Sequence, residues 1–449
     1  MILYHYRSMD SALKEIGGGT FHFASREELN DPIEGFVSVY WQGDKAAWEG
    51  LLRNYICSLY HGIELYLLKR DENCIHHESL AKDIHAFDHV PLGDIWKRIG
   101  DQFVVNKIIQ RMTEYYGDKR LKVKEEELRL ILNYIHNIAI DICIRSYREN
   151  KIIPEEEGKR IIESFRLENP PFPNETIDEK QRVIFSKIVE EFIEDIRELK
   201  YIDIGFDDDS FLFGKKNPEG LTDARQRRDW LTIAVDFPKV YVEQLKEMIY
   251  PKSYTVCFST KNNNSAMWGN YADSHKGVCL VYDFDDASDS VNKPRPVYYE
   301  GELIERNFFE TFGRFTISQI KEWLKGTDGI SDCYKSFSDV NAWRDNYWKA
   351  YEAKTYRKMK AWEYEQEYRI TRTDMFNDLN TPESRNIKYD PKILKGIIFG
   401  IRTSEYDKKC IMEKLVERRE ELGEIKFWQA EYDDANQEIN IREKAMWKL

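Results

Sequence analysis

The chain has 449 residues, enough for one large core or two to three ordinary domains. Hydrophobic residues make up 42% of it and aromatics 14%, which excludes wholesale disorder. Its formal net charge of −13 argues against a protein that wraps nucleic acid by electrostatics, although a local basic groove is compatible with that total.

Met1 to Arg7 has no positive segment followed by an apolar one, so no signal peptide is expected. Ile2, Tyr4 and Tyr6 alternate with Leu3, His5 and Arg7, which predicts a strand with His5 and Arg7 on one face. Ser8 to Ile16 reads as a short helix stopped by Gly17-Gly18-Gly19, and Thr20 to Ala24 as a second strand. Asn30-Asp31-Pro32 predicts a turn, since the residue before proline is held extended and Asp31 can cap nearby backbone donors.

From about residue 45 to 250 the pattern is helical. Trp48, Leu51, Leu52, Tyr55, Ile56 and Leu59 recur at three and four, as do Val183, Ile184, Ile188, Phe192, Ile196 and Leu199. Pro154 before three glutamates predicts a helix start, and 169–174 and 207–210 predict breaks. The most apolar helical stretch, Leu128 to Ile144, is interrupted by Arg129, Asn133, His136, Asn137 and Asp141 and cannot span a bilayer. No membrane partner is expected. Seven scattered cysteines without a CxxC pair suggest reduced thiols and a cytoplasmic location. Cys74, His76, His77, His85 and His89 lack the spacing of a metal site and read as part of a solvated helix.

After residue 250 strands return at Ser253 to Ser259 and Gly277 to Phe284, with a short helix at Ser265 to Ala272 between them. Asp283, Asp285, Asp286 and Asp289 lack the glycine and terminal glutamate of a calcium loop and read as a turn. Ser338 to Lys360 predicts a helix whose Trp343, Tyr347 and Tyr351 form a core stripe; its interleaved cations would also suit a nucleotide or single-stranded nucleic acid. In Trp362 to Ile370, bulky and charged residues alternate as in a strand, placing Glu363, Glu365, Glu367 and Arg369 together. That row is either a site or a solvated face on which Arg369 offsets carboxylate repulsion. The chain closes with a strand, helix and strand at Leu394 to Phe399, Ile411 to Glu421 and Ile425 to Tyr432. The expected fold is α+β: a mixed β-sheet core built from residues 1–45 and 251–449, with a large central helical insertion at 46–250.

Four separated pieces resemble the bacterial family catalogued as domain of unknown function 2971. They are Phe23-Ala24-Ser25 with Leu29 to Glu34; Cys257-Phe258-Ser259 with Met267, Trp268 and Tyr271; Gly277-Val278; and Lys358 to Arg369 followed by Leu394 to Gly400. The resemblance covers roughly the first 45 residues and much of the chain after 250, and not the helical middle. It marks Asn30, Asp31, Trp268 and Arg369 as further candidate site residues.

The order of Arg7 or His5, then Ser259-Thr260, then Glu365-Gln366-Glu367 is similar to the scattered plan of ADP-ribosyltransferases. That resemblance implies NAD as substrate and an unknown macromolecular acceptor, protein or nucleic acid. It also implies Glu367 as catalytic carboxylate with Glu365 as helper, and His5, Arg7, Ser259 and Tyr271 around the NAD. By fold-level analogy it suggests a toxin or phage-defence effector. Cleavage passes through a ribosyl cation, so a carboxylate beside the ribose stabilises developing charge. The reading requires Arg7 or His5 to converge with Ser259 and Glu367 in one cleft, and it fails if those side chains lie on opposite faces of the sheet. A metal-dependent phosphodiesterase using Asp31, Glu34, Glu365 and Glu367, with Lys358 or Lys360 on a phosphate, is a second enzymatic reading. A non-enzymatic module whose insertion binds a protein or nucleic acid is the alternative from another class.

Overall fold

The structure is a computed structural model describing residues 1–31, 33–68, 93–152, 156, 232–286, 293–299, 304–313, 315–376 and 378–444. The predicted helix at 183–199, the Pro154 start, the breaks at 169–174 and 207–210, and Cys74 with His76, His77, His85 and His89 lie outside these residues. Strands among the described residues are β1 (Ile2–Arg7), β2 (Thr20–His22), β3 (Ser38–Trp41), β4 (Val123–Lys124), β5 (Lys252–Ser259), β6 (Val278–Asp283) and β7 (Arg295–Pro296). They continue with β8 (Glu305–Asn307), β9 (Glu367–Asp374), β10 (Asn386–Lys388), β11 (Leu394–Phe399), β12 (Lys426–Asp433) and β13 (Glu438–Glu443).

The chain divides into two compact units. The first comprises Met1–Val37, Pro251–Ile304 and Trp348–Leu449; the second comprises Ser38–Tyr250 and Glu305–Tyr347. The α+β expectation holds, with the sheet core drawn from both ends of the chain. The predicted boundaries at 45 and 250 are joined by another excursion, since Glu305–Tyr347 counts with the helical unit.

The first unit is built on an eight-stranded sheet in the order β13-β12-β11-β6-β1-β5-β9-β7. It is mixed: β11 and β12 run parallel, connected through the helix Glu405–Glu417, and the other neighbours are antiparallel. N-terminal β1 therefore lies inside the sheet, paired along its whole length with β6 from Ile2↔Asp283 to Arg7↔Val278. Against β5, among the described residues, it is in register at Tyr4↔Ser259 alone.

Period-two alternation gives the sheet two different faces. One carries Leu3, Val256, Phe258, Leu280, Tyr282, Ile370 and Ile397, packed beneath Ala12 and Ile16 of the helix Met9–Gly18 and Ile411 and Leu415 of Glu405–Glu417. Ser8 caps Met9–Gly18 through a bond from the Ser11 amide, and Gly19 ends it at φ 59°, as the glycine run predicts. The opposite face is apolar over β1, β6, β11, β12 and β13, where Tyr6, Cys279, Val281 and Ile398 pack against Met267 and Trp268 of the helix Ser265–Tyr271. Over β5 and β9 that same face is charged.

The second unit packs the helices Lys45–Leu68, Gly93–Val104, Lys107–Asp118, Glu125–Glu149 and Phe237–Ile249 with a small sheet of order β4-β3-β8. Trp48, Tyr55, Ile135 and Tyr241 are fully or almost fully buried, as the helical spacing predicts for Trp48 and Tyr55. Buried His136 receives Tyr55 at 2.7 Å and meets the Ile233 carbonyl at 2.8 Å, which satisfies both ring nitrogens. Trp343 and Tyr347 of the helix Val340–Thr355 stack at 5.4 Å and Tyr347 is buried, as the stripe predicts, whereas Tyr351, also buried, falls in the first unit. No described helix is long and apolar enough to cross a membrane.

Candidate functional site

The segment predicted as one strand from Trp362 to Ile370 is two elements. Lys360–Glu365 is a 3₁₀ turn, Gln366 sits in the left-handed region at φ 44°, and the strand begins at Glu367. The Gln366 reversal gives Glu365 and Glu367 a shared destination without a continuous strand between them. The solvated-face reading is corrected. Glu365, Glu367 and Arg369 are buried, whereas Glu363 is exposed.

These side chains form a closed ion cluster on the β5–β9 half of the sheet. Arg369 donates to Glu367 through Nε at 2.6 Å and Nη2 at 2.9 Å, and through Nη1 to the Thr355 carbonyl at 2.8 Å. Its Nη2 also pairs with Glu34 Oε1. Lys358 Nζ reaches Glu365 at 2.6 Å, Glu367 at 3.2 Å and Glu34 at 3.4 Å. The Tyr271 hydroxyl donates to Glu365 Oε1 at 2.6 Å, and the Glu367 amide donates to the Tyr299 hydroxyl at 2.8 Å. Three carboxylates thus face two cations, and none of the five residues is more than 7% exposed.

The imbalance decides the ionisation. Burial pushes Glu367 up, but the two-bond grip of Arg369 and the charge of Lys358 outweigh it and hold that carboxyl down at about 2. For Glu34 and Glu365 burial wins, and both lie above the ordinary carboxylate value despite Arg369 and Lys358. Burial and the neighbouring Glu365 carboxylate push Tyr271 up as well.

Each predicted site residue has a definite place. Ser259 is fully buried; its hydroxyl donates to the Glu365 carbonyl at 2.7 Å and accepts from the Lys261 amide at 3.0 Å, which fixes the backbone beneath the cluster. Asp31 closes its own turn, accepting the Ile33 amide at 3.0 Å, so its role is to deliver Glu34. Trp268 is fully buried, edge-on to Tyr6 at 5.1 Å and bonded to the Asn262 carbonyl, which makes it a packing residue. Asn30 is exposed, and its side chain beside Tyr271 works against the rise of that hydroxyl.

His5 and Arg7 differ from expectation. The registers Tyr4↔Ser259 and Ser259↔Glu367 put Tyr4, Ser259 and Glu367 on one face, so His5 and Arg7 project from the other. There both are tied to buried Glu15, His5 Nδ1 at 2.9 Å and Arg7 Nε at 3.0 Å, and Glu15 also accepts from Tyr282 at 2.7 Å. Burial drives His5 down, favouring its neutral form, while His5 and Arg7 outweigh burial at Glu15 and lower it. The two faces nonetheless meet at an opening. Beyond Tyr4↔Ser259, β1 and β5 part, and a cavity of about 190 Å³ lies between them. Its lining includes His5 and Arg7 on one side, and Cys257, Ser259, Tyr271, Lys358, Glu34, Glu365 and Glu367 on the other.

The sequence marks Glu34 as a candidate metal ligand and Lys358 as a phosphate contact beside it, and carries no signal for Tyr299. Glu34 lies in the quoted Leu29–Glu34 piece and Lys358 opens the Lys358–Arg369 piece, so the motif signal was present without its chemistry. The carboxylates gather around Lys358 and Arg369. Among the described residues no group of three or more His, Cys, Asp or Glu side chains is placed to hold a metal. Asp283 and Asp285 pair with the N-terminal ammonium of Met1, Asp283 at 2.8 Å.

Residues 267–370 match the family model described as Protein of unknown function (DUF2971). The match takes in Tyr271, Lys358, Glu365, Glu367 and Arg369, and leaves out Glu34, Ser259 and β1. No curated protein and no solved structure matches the chain.

Proposed function

We propose that the cavity between β1 and β5 is an active site that cleaves NAD at the nicotinamide–ribose bond and transfers ADP-ribose to a macromolecular acceptor, in the cytosol. The observation carrying this reading is the meeting of first-strand, middle-strand and late-strand residues around one cavity, backed by an ion cluster in which three carboxylates face two cations. Once Glu365 has lost its proton the cluster carries one surplus negative charge, which a developing ribosyl cation offsets. Glu367, held anionic by Arg369, provides the fixed negative field. Glu365, on the cavity wall and above the ordinary carboxylate range, is suited to proton transfer near neutrality.

In the proposed step the C1′–N bond breaks and its electron pair leaves with neutral nicotinamide. The acceptor nucleophile then forms the new bond to C1′ and gives its proton to Glu365, which is in its ionised form on the alkaline side of its raised titration. Cys257, pushed well up by burial, stays a thiol and takes no part. Modification of a macromolecule in this way would suit a toxin or defence effector.

The test is nicotinamide release from NAD by the wild type, Glu365→Gln and Glu367→Gln, each shown to be folded, with and without cell lysate as acceptor source. Release by the wild type that drops by two or more orders of magnitude in both variants supports the reading (about 10²–10⁴ is the usual scale for a proton-transfer group). No release in any condition from folded wild type sinks it.

A further inference from the structure

Three buried carboxylates against two cations leave one negative charge uncompensated, and a buried uncompensated charge is costly enough that a proton is taken up instead. The hydrogen-bond geometry distinguishes the three candidates for that proton. Glu367 accepts two bonds from Arg369 and one from Lys358, so both oxygens are occupied by charged donors. Glu34 has Arg369 at Oε1 and Lys358 at Oε2, so a proton on either oxygen would point at a cation. Glu365 differs. Lys358 holds its Oε2, but Oε1 faces the Tyr271 hydroxyl, which can accept as well as donate. A proton on Oε1 finds an acceptor in the Tyr271 oxygen.

We propose that the Glu365–Tyr271 hydrogen bond carries the surplus proton, and that Glu34 is the positioning residue whose charge keeps it there. Glu34 occupies cation capacity that would otherwise serve Glu365 and Glu367. Without its charge, two carboxylates balance two cations and no extra proton is needed. The groups facing Glu34 are Arg369 and Glu367 from β9, Lys358 from the segment before the 3₁₀ turn, and Cys257 from β5. Those facing Glu365 are Lys358, Tyr271, Glu367, Tyr299 and Tyr364. This assignment rests on the proposed function only for the use made of the proton, since its location follows from the cluster itself.

The experiment is a pH titration of the full chain carrying carboxyl-labelled glutamate, followed by carbon NMR, in wild type, Glu365→Gln and Glu34→Gln. The expected wild-type spectrum has Glu365 as the highest-titrating carboxyl of the cluster, with Glu310 of the second unit, which burial raises, common to all three proteins. The Glu365 signal is missing from Glu365→Gln and moves down by about one pH unit or more in Glu34→Gln. A signal at the wild-type Glu365 midpoint that persists in Glu365→Gln places the proton elsewhere and overturns the proposal, as does an unmoved midpoint in Glu34→Gln. Because the substitution removes the surplus charge, Glu34→Gln is expected to fold at neutral pH, and an unfolded variant also overturns it. The readout needs no turnover, so it stands or falls apart from NAD cleavage. Where NAD is cleaved, the acid limb of the pH–kcat profile moves down by the same amount in Glu34→Gln, a displacement that a merely structural Glu34 would not cause.

Discussion

Tyr4 lies directly across from Ser259, and among the described residues this is the single position at which β1 and β5 are in register. A sheet that stayed paired here would have sealed Glu365 and Glu367 away from His5 and Arg7. The parting of the strands makes an interior charge cluster reachable.

Arg369 is the cation on which Glu367 depends most. Arg369→Met leaves Glu367 and Glu34 buried against Lys358 alone, and is expected to cost about 3–5 kcal/mol of folding stability. Urea unfolding at pH 7 checks this. A loss below about 1 kcal/mol would mean that solvent already screens the cluster.

Glu367 also sets an acid limit. Its folded value of about 2 lies below the ordinary value of 4.5, so its stabilisation is present above pH 4.5 and is lost as pH falls through 2. A difference of that size corresponds to about 3 kcal/mol. Denaturation midpoints of wild type and Glu367→Gln, followed from pH 7 to pH 2, should converge at the acid end. Parallel curves would show that Glu367 is not the group that titrates.

Glu15 is the anchor of the other wall. Glu15→Ala strips His5, Arg7 and Tyr282 of their common acceptor in a fully buried setting and is expected to destabilise by about 2–5 kcal/mol. Thermal unfolding reads the loss. Stability equal to wild type would show that these groups find other partners, leaving Arg7 free to face the cavity.

Gly277 is required by a backbone approach. A Cβ there would lie 2.1 Å from the Arg7 carbonyl, at the end of β1. Gly277→Ala is expected to push β1 from β6 and cost about 1–3 kcal/mol. A variant as stable as wild type, by the same unfolding measurement, would show that β1 shifts without penalty.

Much of the sheet was legible because its strands alternate cleanly. Ser253 to Ser259, Gly277 to Phe284 and Leu394 to Phe399 are seen within a residue or two of expectation. The Trp362–Ile370 segment misled because alternation of types does not require alternation of backbone. A 3₁₀ turn ended by a left-handed Gln366 carries the same pattern of residues. Its carboxylates looked solvent-facing because their cations, Lys358 and Arg369, satisfy them from within, and pairing of this kind is tertiary. The face of His5 was predicted correctly as shared with Arg7, but which face that was depended on a register with β5 about 250 residues away. No local signal encodes it.

The site's composition also orders its making. Glu34 is synthesised before the rest of the cluster, Cys257 and Tyr271 come more than two hundred residues later, and Glu367 and Arg369 nearly a hundred after that. Contacts this distant in sequence form late and slowly. A nascent chain stopped anywhere before residue 369 lacks the cation that holds Glu367 and Glu34, and one that begins after Glu34 carries two carboxylates with no surplus charge. The complete cluster is therefore a check on completeness, which only a chain spanning Glu34 to Arg369 can pass.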